Sequence, residues 1–234
     1  MNFLFDVDGT LTPSRQKMDK EFKSFFGQWI TEVRNRSGKV FIVTGSDKGK
    51  SVEQLGLALW RHISLDGCYQ CSGNQLYRRG RLVKSSKWTM CDDLRKDLTS
   101  LIESSPWYGT ATNNVEERTG AVNISTIGRD CSDESRAIYY EWDKENGERE
   151  KIVSVLSCKY PQLHFVAGGE ISIDIYPSGC DKSQVLNDMN ENKNVFFGDR
   201  CTKDGNDFTI AIMSDIYYNV DSWQQTAGVL KGFL

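Results

Sequence analysis

The chain has 234 residues, of which 38% are hydrophobic and 26% are charged, as in a globular protein that can bury a core. Its net charge of −3 argues against nucleic-acid or anionic-membrane partners, because both favour a basic surface. We expect no signal peptide and no membrane span, because the apolar N-terminal start is short and no run of about 18 apolar residues occurs. The seven cysteines lack a disulfide spacing and are typical of reduced thiols in a cytoplasmic protein.

The first third of the sequence alternates predicted strands and helices. Apolar runs predict strands at Asn2–Phe5, Lys39–Val43 and near His62–Leu65. Helical periodicity predicts helices at Lys17–Arg36 and at about Lys48–Trp60. This β-α-β-α-β order predicts an α/β fold with a parallel, doubly wound, Rossmann-like sheet.

The middle of the sequence has a different pattern. It predicts helices at Asp92–Ser104 and Ser132–Tyr160, and short strands at Ala121–Ile127, Leu163–Ala167 and Ile171–Tyr176. Strands and helices that do not strictly alternate indicate an α+β module.

The last part of the sequence returns to the first pattern. It predicts a helix at Lys182–Asn190 and a buried strand at Asn194–Phe197. We therefore predict a core domain of residues 1–81 and 178–234, interrupted by an inserted α+β cap domain of residues 82–177.

Two of the predicted core strands end in acids. FDVDG places Asp6 and Asp8 after the first strand, and FFGD places Asp199 after the last one. Ligands bind at the carboxyl ends of strands in such sheets, and converging carboxylates suit Mg²⁺. Asp6 could attack phosphorus, Asp8 could exchange a proton, and Gly9 and Thr10 would let the backbone turn close to a phosphate. A single pair of acids is equally compatible with solvated carboxylates at a strand end.

The acids belong to a longer pattern. DVDGTLT resembles motif I of the haloacid-dehalogenase-like phosphotransferase superfamily, and the strand that ends in TGS resembles motif II. The resemblance implies that a motif II hydroxyl, from Thr44 or Ser46, binds the phosphoryl group. Lys182 in GCDKSQVL resembles the motif III lysine, which offsets charge on the attacked phosphoryl group.

The stretch GDRCTKDGND resembles motif IV of the same superfamily, which supplies metal-holding acids. The four motifs occur in the order typical of the superfamily, and they imply a HAD-like core. The resemblance implies the metal ligands Asp6, Asp8, Asp199 and Asp207. Asp215 is a candidate for a second cation site.

The sequence also resembles eukaryotic-type phosphomannomutases over nearly its whole length. The resemblance is carried by LFDVDGTLTPSRQK, GSDKGKSVEQLG, GAVNISTIGRDCSDESR and GGEISIDIYPSGCDK. Part of it lies in the predicted cap, where the phosphatases of the superfamily differ. It implies that the distal phosphate and the sugar are bound by Arg118, Asn123, Arg129 and Arg136. It further implies that the sugar hydroxyls contact Ser172 and Asp174, and that Arg15 supports the substrate from the core.

The family resemblance implies a reaction. Asp6 would pass a phosphoryl group to and from a hexose monophosphate, with Asp8 as acid and base. Mg²⁺ and Lys182 would offset charge, and a hexose 1,6-bisphosphate would be the activator. The substrates would be mannose 6-phosphate and mannose 1-phosphate. The resemblance also suggests a homodimer formed through the cap, although the match weakens at Lys87–Val115.

Two other functions are compatible with parts of this pattern. A Mg²⁺-dependent sugar-phosphate phosphatase would use the same acids and lysine, but it would have little use for distal-phosphate arginines such as Arg129 and Arg136. A non-catalytic binding protein would be expected to have lost a catalytic acid. The arginines favour the mutase, and the acids favour an enzyme.

Overall fold

The structure is a computed structural model, and it describes residues 1–108, 112–189, 192–203 and 205–233. The chain divides into two compact units. The core unit comprises Met1–Ser86 and Gly179–Leu234, and the inserted unit comprises Lys87–Ser178. The first crossing between the units therefore follows Ser86 rather than the predicted residue 81, because the intervening residues form a strand that pairs within the core unit.

The strands, in chain order, are β1 (Asn2–Phe5), β2 (Lys39–Val43), β3 (Gly67–Gln70), β4 (Gln75–Arg78), β5 (Arg81–Ser85), β6 (Val115–Arg118), β7 (Ala121–Ser125), β8 (Leu163–Gly168), β9 (Ser172–Pro177), β10 (Asn194–Gly198) and β11 (Ile216–Asn219). The helices are α1 (Lys20–Asn35), α2 (Lys48–Leu55), α3 (Leu57–Ile63), α4 (Asp92–Glu103), α5 (Asp133–Asn146), α6 (Glu148–Lys159), α7 (Phe208–Met213) and α8 (Trp223–Lys231). Short 3₁₀ turns lie at Cys71–Gly73 and Lys182–Asp188. None of the helices in the described ranges combines the length and the hydropathy that a bilayer span requires.

The core sheet has the strand order β11-β10-β1-β2-β3-β4-β5. The pairs from β11 to β3 are parallel, and β4 and β5 add an antiparallel hairpin at the edge. The parallel α/β sheet is therefore confirmed. The strand predicted near His62–Leu65 is wrong, since α3 extends to Ile63 and the strand begins at Gly67.

Helices cover both faces of the core sheet, as a doubly wound fold requires. Alternate side chains of β1 point to opposite faces. Phe3 and Phe5 pack in a cluster with Trp29 of α1, whereas Leu4 packs in another cluster with Ile210 of α7. Burying each of these large apolar side chains contributes about 1.5–3 kcal/mol to folding.

Two helices that the sequence predicts as continuous are broken by glycine. Gly56, with φ +81°, separates α2 from α3, and Gly147, with φ +62°, separates α5 from α6. Both glycines adopt a backbone conformation that other residues avoid, so each ends one helix and redirects the chain. The segment predicted as a helix from Lys182 is a 3₁₀ turn that ends at Asp188, and its predicted last residue, Asn190, lies outside the described residues.

The inserted unit is built on an antiparallel sheet of order β6-β7-β9-β8. One face of this sheet is apolar. Ile124 and Ile173 on that face pack with Leu98 of α4 and Leu156 of α6. The alternate residues of the same strands are polar and lie on the other face. The inserted unit therefore has the α+β character that the sequence predicts.

Candidate active site

Asp6 lies directly after β1 and is almost fully buried, with 5% of its surface exposed. Its backbone N–H donates to the carbonyl of Phe197 in β10, which holds it at the carboxyl end of the sheet. The Lys182 ammonium lies 2.8 Å from Asp6 Oδ1 and 2.6 Å from Asp207 Oδ1. Lys182 and Asp207 are also buried. The three side chains thus form an ion cluster that water barely reaches.

Burial and the neighbouring charges act in opposite directions on the pKa values of Asp6 and Lys182. Burial raises the pKa of Asp6 to about 7, with the Lys182 charge opposing the rise and Asp207 and Asp199 adding to it. Burial lowers the pKa of Lys182, but Asp207 and Asp6 more than compensate, and its pKa is raised overall. Lys182 therefore stays cationic beside the oxygen atom that would attack phosphorus.

Asp6, Asp199 and Asp207 converge on one point. Each offers a carboxylate oxygen, and these oxygens lie within 4.8 Å of one another. Burial, followed by the charge of Asp207, raises the pKa of Asp199 to about 6. Oxygen-rich acidic groups suit hard divalent cations, and the single ammonium of Lys182 cannot balance three carboxylates. The residues therefore fit a divalent metal ion.

Two acids predicted to bind metal do not belong to this group. Among the described residues, the Asp8 side chain lies outside the converging set and has other partners. Asp215 immediately precedes β11 and accepts a hydrogen bond from the backbone N–H of Asn194, which begins β10. Asp215 therefore lies at the amino ends of the parallel strands, whereas Asp6 lies at their carboxyl ends.

Two glycines make room for the carboxylates. Gly9 has φ +75°, and a Cβ atom there would collide with Asp199 Oδ2. A Cβ atom on Gly198 would lie only 2.6 Å from Asp207 Oδ2. Close packing of carboxylate against backbone at these two positions therefore requires the absence of a side chain.

Asp8 is held by donors rather than by an ion cluster. Its Oδ1 atom accepts from the backbone N–H of Arg15 at 2.6 Å and from Gln54 Nε2 at 2.9 Å. Lys50 Nζ lies 3.8 Å from Oδ2. Lys50 and Gln54 were not singled out in the sequence, although their i, i+4 spacing places both on one face of α2. Asp8 is oriented and partly exposed, as an acid/base group must be.

The loop after β2 carries both motif II hydroxyls. Thr44 is buried, and its Oγ1 atom accepts from the backbone N–H of Ser46 at 3.2 Å. Ser46 is partly exposed. The loop is braced by backbone hydrogen bonds from Ser72 to Thr44 and from Cys71 to Ser46. Of the two hydroxyls, that of Ser46 is therefore the more accessible.

A polar row crosses the inserted sheet. Glu116, Asn123 and Asp174 lie directly opposite one another on β6, β7 and β9. Asn123 Nδ2 donates to Asp174 Oδ1 at 2.7 Å. The row forms because Asn123 and Asp174 alternate with the buried apolar residues of β7 and β9, and Glu116 is in register with Asn123.

Arg118 and Arg129 pack onto this row. Glu116 Oε2 lies 2.5 Å from Arg129 Nη2 and 2.8 Å from Arg118 Nη2. Arg129 also donates to Asn123 Oδ1, and Arg118 Nη1 lies 4.0 Å from Asp174 Oδ1. The structure thus brings together four predicted substrate residues around Glu116, which no sequence motif marks.

The remaining predicted substrate residues of the inserted unit are Arg136 and Ser172. Arg136 is on α5, and its Nε atom lies 3.9 Å from Glu170 Oε2. Ser172 precedes Asp174 by two residues on β9, so both are on the same face. Glu170 was also missed, because its role depends on a partner distant in sequence.

The parallel sheet, the acid pair after β1, the buried lysine and the acids after β10 define a member of the haloacid-dehalogenase-like superfamily. Solved structures share this fold. A Streptococcus mutans protein has a TM-score of 0.67 and 13% identity, covering 99% of this chain and 98% of that chain. A haloacid dehalogenase-like hydrolase from Bacteroides thetaiotaomicron has a TM-score of 0.63 and 10% identity, covering 100% and 99%.

The sequence assigns the family within that class. The model of the eukaryotic phosphomannomutase family matches residues 26–234, and the chain belongs to this family. It is 36% identical to Phosphomannomutase 1 of Mus musculus, over 88% of this chain and 81% of that protein. It is also 36% identical to a phosphomannomutase of Oryza sativa subsp. indica, over 88% and 84%.

Proposed function

We propose that this protein is a phosphomannomutase, an isomerase that interconverts mannose 6-phosphate and mannose 1-phosphate. Family membership supports this activity. The observation that carries the mechanism is the buried Asp6 carboxylate, 2.8 Å from the Lys182 ammonium at the carboxyl end of β1.

In this proposal, an oxygen of Asp6 attacks phosphorus in a hexose 1,6-bisphosphate. The Asp6 O–P bond forms while the bond between phosphorus and the sugar oxygen breaks, which gives an aspartyl-phosphate. Asp8 protonates the leaving sugar oxygen and, in the reverse half-reaction, takes the proton from the attacking hydroxyl. Lys182 and a hydroxyl of the motif II loop bind the phosphoryl oxygens. We assign this hydroxyl to Ser46 rather than Thr44, because the Ser46 side chain is the more exposed of the two.

The metal in this proposal is Mg²⁺, held by Asp6, Asp199 and Asp207. When bound, it supplies positive charge that offsets the charge of the transferring phosphoryl group. The three converging carboxylates support the choice of a hard cation. A small number of protein carboxylates suits Mg²⁺, which usually keeps several water ligands.

We further propose that the inserted unit is a cap that binds the sugar and the phosphate that is not reacting. Arginine suits bidentate phosphate binding, and the unit presents Arg118, Arg129 and Arg136. Asn123, Ser172 and Asp174 would contact the sugar, and we retain Arg15 as a further proposed substrate residue. A mutase needs such a second phosphate site because its bisphosphate intermediate must present each phosphate in turn. A phosphatase that acts on a monophosphate has no such need.

The proposal is tested by phosphorus NMR of the purified protein with Mg²⁺, mannose 1-phosphate and a trace of glucose 1,6-bisphosphate as activator. The expected result is a growing mannose 6-phosphate signal with little inorganic phosphate. Inorganic phosphate as the main product would mean that the protein is a sugar-phosphate phosphatase. An unchanged spectrum would contradict both activities.

Two further features belong to the proposal. The family resemblance suggests a homodimer formed through the inserted unit, which light scattering of the purified protein would test. The structure shows each of the seven cysteines as a thiol outside any disulfide bond, which supports a reducing compartment such as the cytoplasm.

A further inference from the structure

The polar face of the inserted unit pairs each of its proposed phosphate-binding arginines with a carboxylate. Arg118 and Arg129 lie on Glu116, Arg118 also approaches Asp174, and Arg136 approaches Glu170. A phosphate needs both the hydrogen-bond donors and the positive charge of guanidinium groups. These carboxylates use some of the donors and offset the charge, so they oppose the binding of an anion.

Among the three acids Glu116, Asp174 and Glu170, Glu116 makes the shortest contacts with the arginines. Its Oε2 atom contacts a terminal nitrogen of Arg118 and one of Arg129, so a single oxygen holds two guanidinium groups. The hydrogen bond from Arg118 is the main cause that keeps the pKa of Glu116 below its usual range, and Glu116 is therefore ionised at neutral pH. The negative charge of Glu116 therefore lies next to both guanidinium groups, those of Arg118 and Arg129, that would bind a phosphate.

We propose that Glu116 is a positioning residue that holds Arg118 and Arg129 together and at the same time limits their affinity for phosphate. This inference rests on the proposed function. The bisphosphate intermediate of a mutase must release one phosphate from the distal site before the other can bind there. When a carboxylate partly offsets the positive charge of the two guanidinium groups, the bound phosphate can still dissociate. Two guanidinium groups without that carboxylate would bind the phosphate more tightly.

The charge on Glu116 is removed with little change of shape in Glu116→Gln. We expect this variant to bind mannose 1-phosphate about 5-fold more tightly, the upper range for partly exposed ion pairs. Calorimetric titration in EDTA measures this binding without turnover. In the mutase assay with Mg²⁺, we expect a lower KM without a rise in kcat, because stronger binding of substrate and transition state alike does not accelerate the reaction.

The same strand provides a matched control. Glu117 is the next residue of β6, points to the opposite face and pairs with Arg95. Glu117→Gln removes the same charge from the same strand, and we expect it to leave the affinity unchanged. Glu116→Asp keeps the charge, and its affinity for mannose 1-phosphate should be close to that of the native protein. Circular dichroism confirms that each variant is folded.

The outcomes separate this inference from the proposed function. If the native protein neither binds nor isomerises mannose 1-phosphate, the proposed function fails and the inference fails with it. If the native protein is an active mutase but Glu116→Gln binds mannose 1-phosphate no more tightly than Glu117→Gln, the inference alone is overturned. Weaker binding by Glu116→Gln would also overturn it, because Glu116 would then only orient the arginines.

Discussion

Gln54 donates a hydrogen bond of 2.9 Å from Nε2 to Oδ1 of Asp8, and thereby ties the proposed acid/base group to helix α2. Gln54 is buried whereas Asp8 is partly exposed, so the donor of this bond is shielded from water. The second donor to the same oxygen is the backbone N–H of Arg15. The hydrogen bonds that orient Oδ1 of the Asp8 carboxylate therefore come from one side chain and one peptide group of different segments, while Lys50 Nζ lies 3.8 Å from Oδ2.

Replacing this donor should slow the reaction more than it weakens binding. In Gln54→Met the side chain keeps a similar length but cannot donate, and a hydrogen bond to a charged group contributes about 1.5–3 kcal/mol. We expect kcat to fall by about 10-fold or more while KM changes little, since Gln54 would not contact the sugar. Glu53→Gln, at the adjacent exposed position of α2, is the control. Equal kcat values in the two variants would refute the assigned role of Gln54.

Lys182 is expected to be essential for both folding and reaction. Replacing it by Met leaves Asp6 and Asp207 as buried carboxylates without their cation, and breaking a buried pair in this way costs about 3–5 kcal/mol. Urea denaturation with and without Mg²⁺ measures the loss, and phosphorus NMR should detect no turnover. Lys84→Met removes a lysine from an exposed pair with Asp188 and should cost no more than about 1 kcal/mol. Similar losses in the two variants would contradict this account of the ion cluster.

Metal binding should be visible without any enzyme assay. If Mg²⁺ binds to Asp6, Asp199 and Asp207 in the folded state only, it should stabilise the protein by about 2.7 kcal/mol at 100 times its Kd and raise Tm. Asp199→Asn should remove most of this rise. Asp215→Asn changes an acid at the other end of the sheet, and this variant should show the same Mg²⁺-dependent rise in Tm as the native protein. A Tm that does not respond to Mg²⁺ in the native protein would count against the proposed metal site.

Local patterns were sufficient to predict the three central apolar strands of the core sheet and helix α1, but not β11, α7 or α8. The buried strands β1, β2 and β10 are apolar runs, and each lies where the sequence predicts it. The helix breaks at Gly56 and Gly147 were missed because glycine within a helical pattern is tolerated, and only the fold shows that these two adopt positive φ. The hairpin of β4 and β5 was missed because much of it is exposed and lacks an apolar pattern.

The site was predicted less completely than the fold, for a related reason. Asp6, Lys182 and Asp207 carry motifs that mark them individually, and the structure brings them into contact. Gln54 acts on Asp8, which is distant in sequence, and Glu116 joins Arg118 of its own strand to Arg129 in the loop after β7, so no local pattern identifies either residue. Their roles follow from the register of strands and from the packing of α2 against the loop after β1.

Gly9 provides the most specific structural test of how the core site is packed. Ala at this position would place a methyl group against Asp199 Oδ2 and would have to adopt φ +75°. The backbone conformation alone costs about 1–2 kcal/mol, and the displaced carboxylate should also weaken the Mg²⁺-dependent rise in Tm. Gly27→Ala is the matched control, because Gly27 is inside α1 with open space around its Cβ position. That change should stabilise the protein by about 0.5–1 kcal/mol. If Gly9→Ala were as stable as Gly27→Ala and responded fully to Mg²⁺, the close approach of Asp199 to the Gly9 backbone would not be a feature of the native protein.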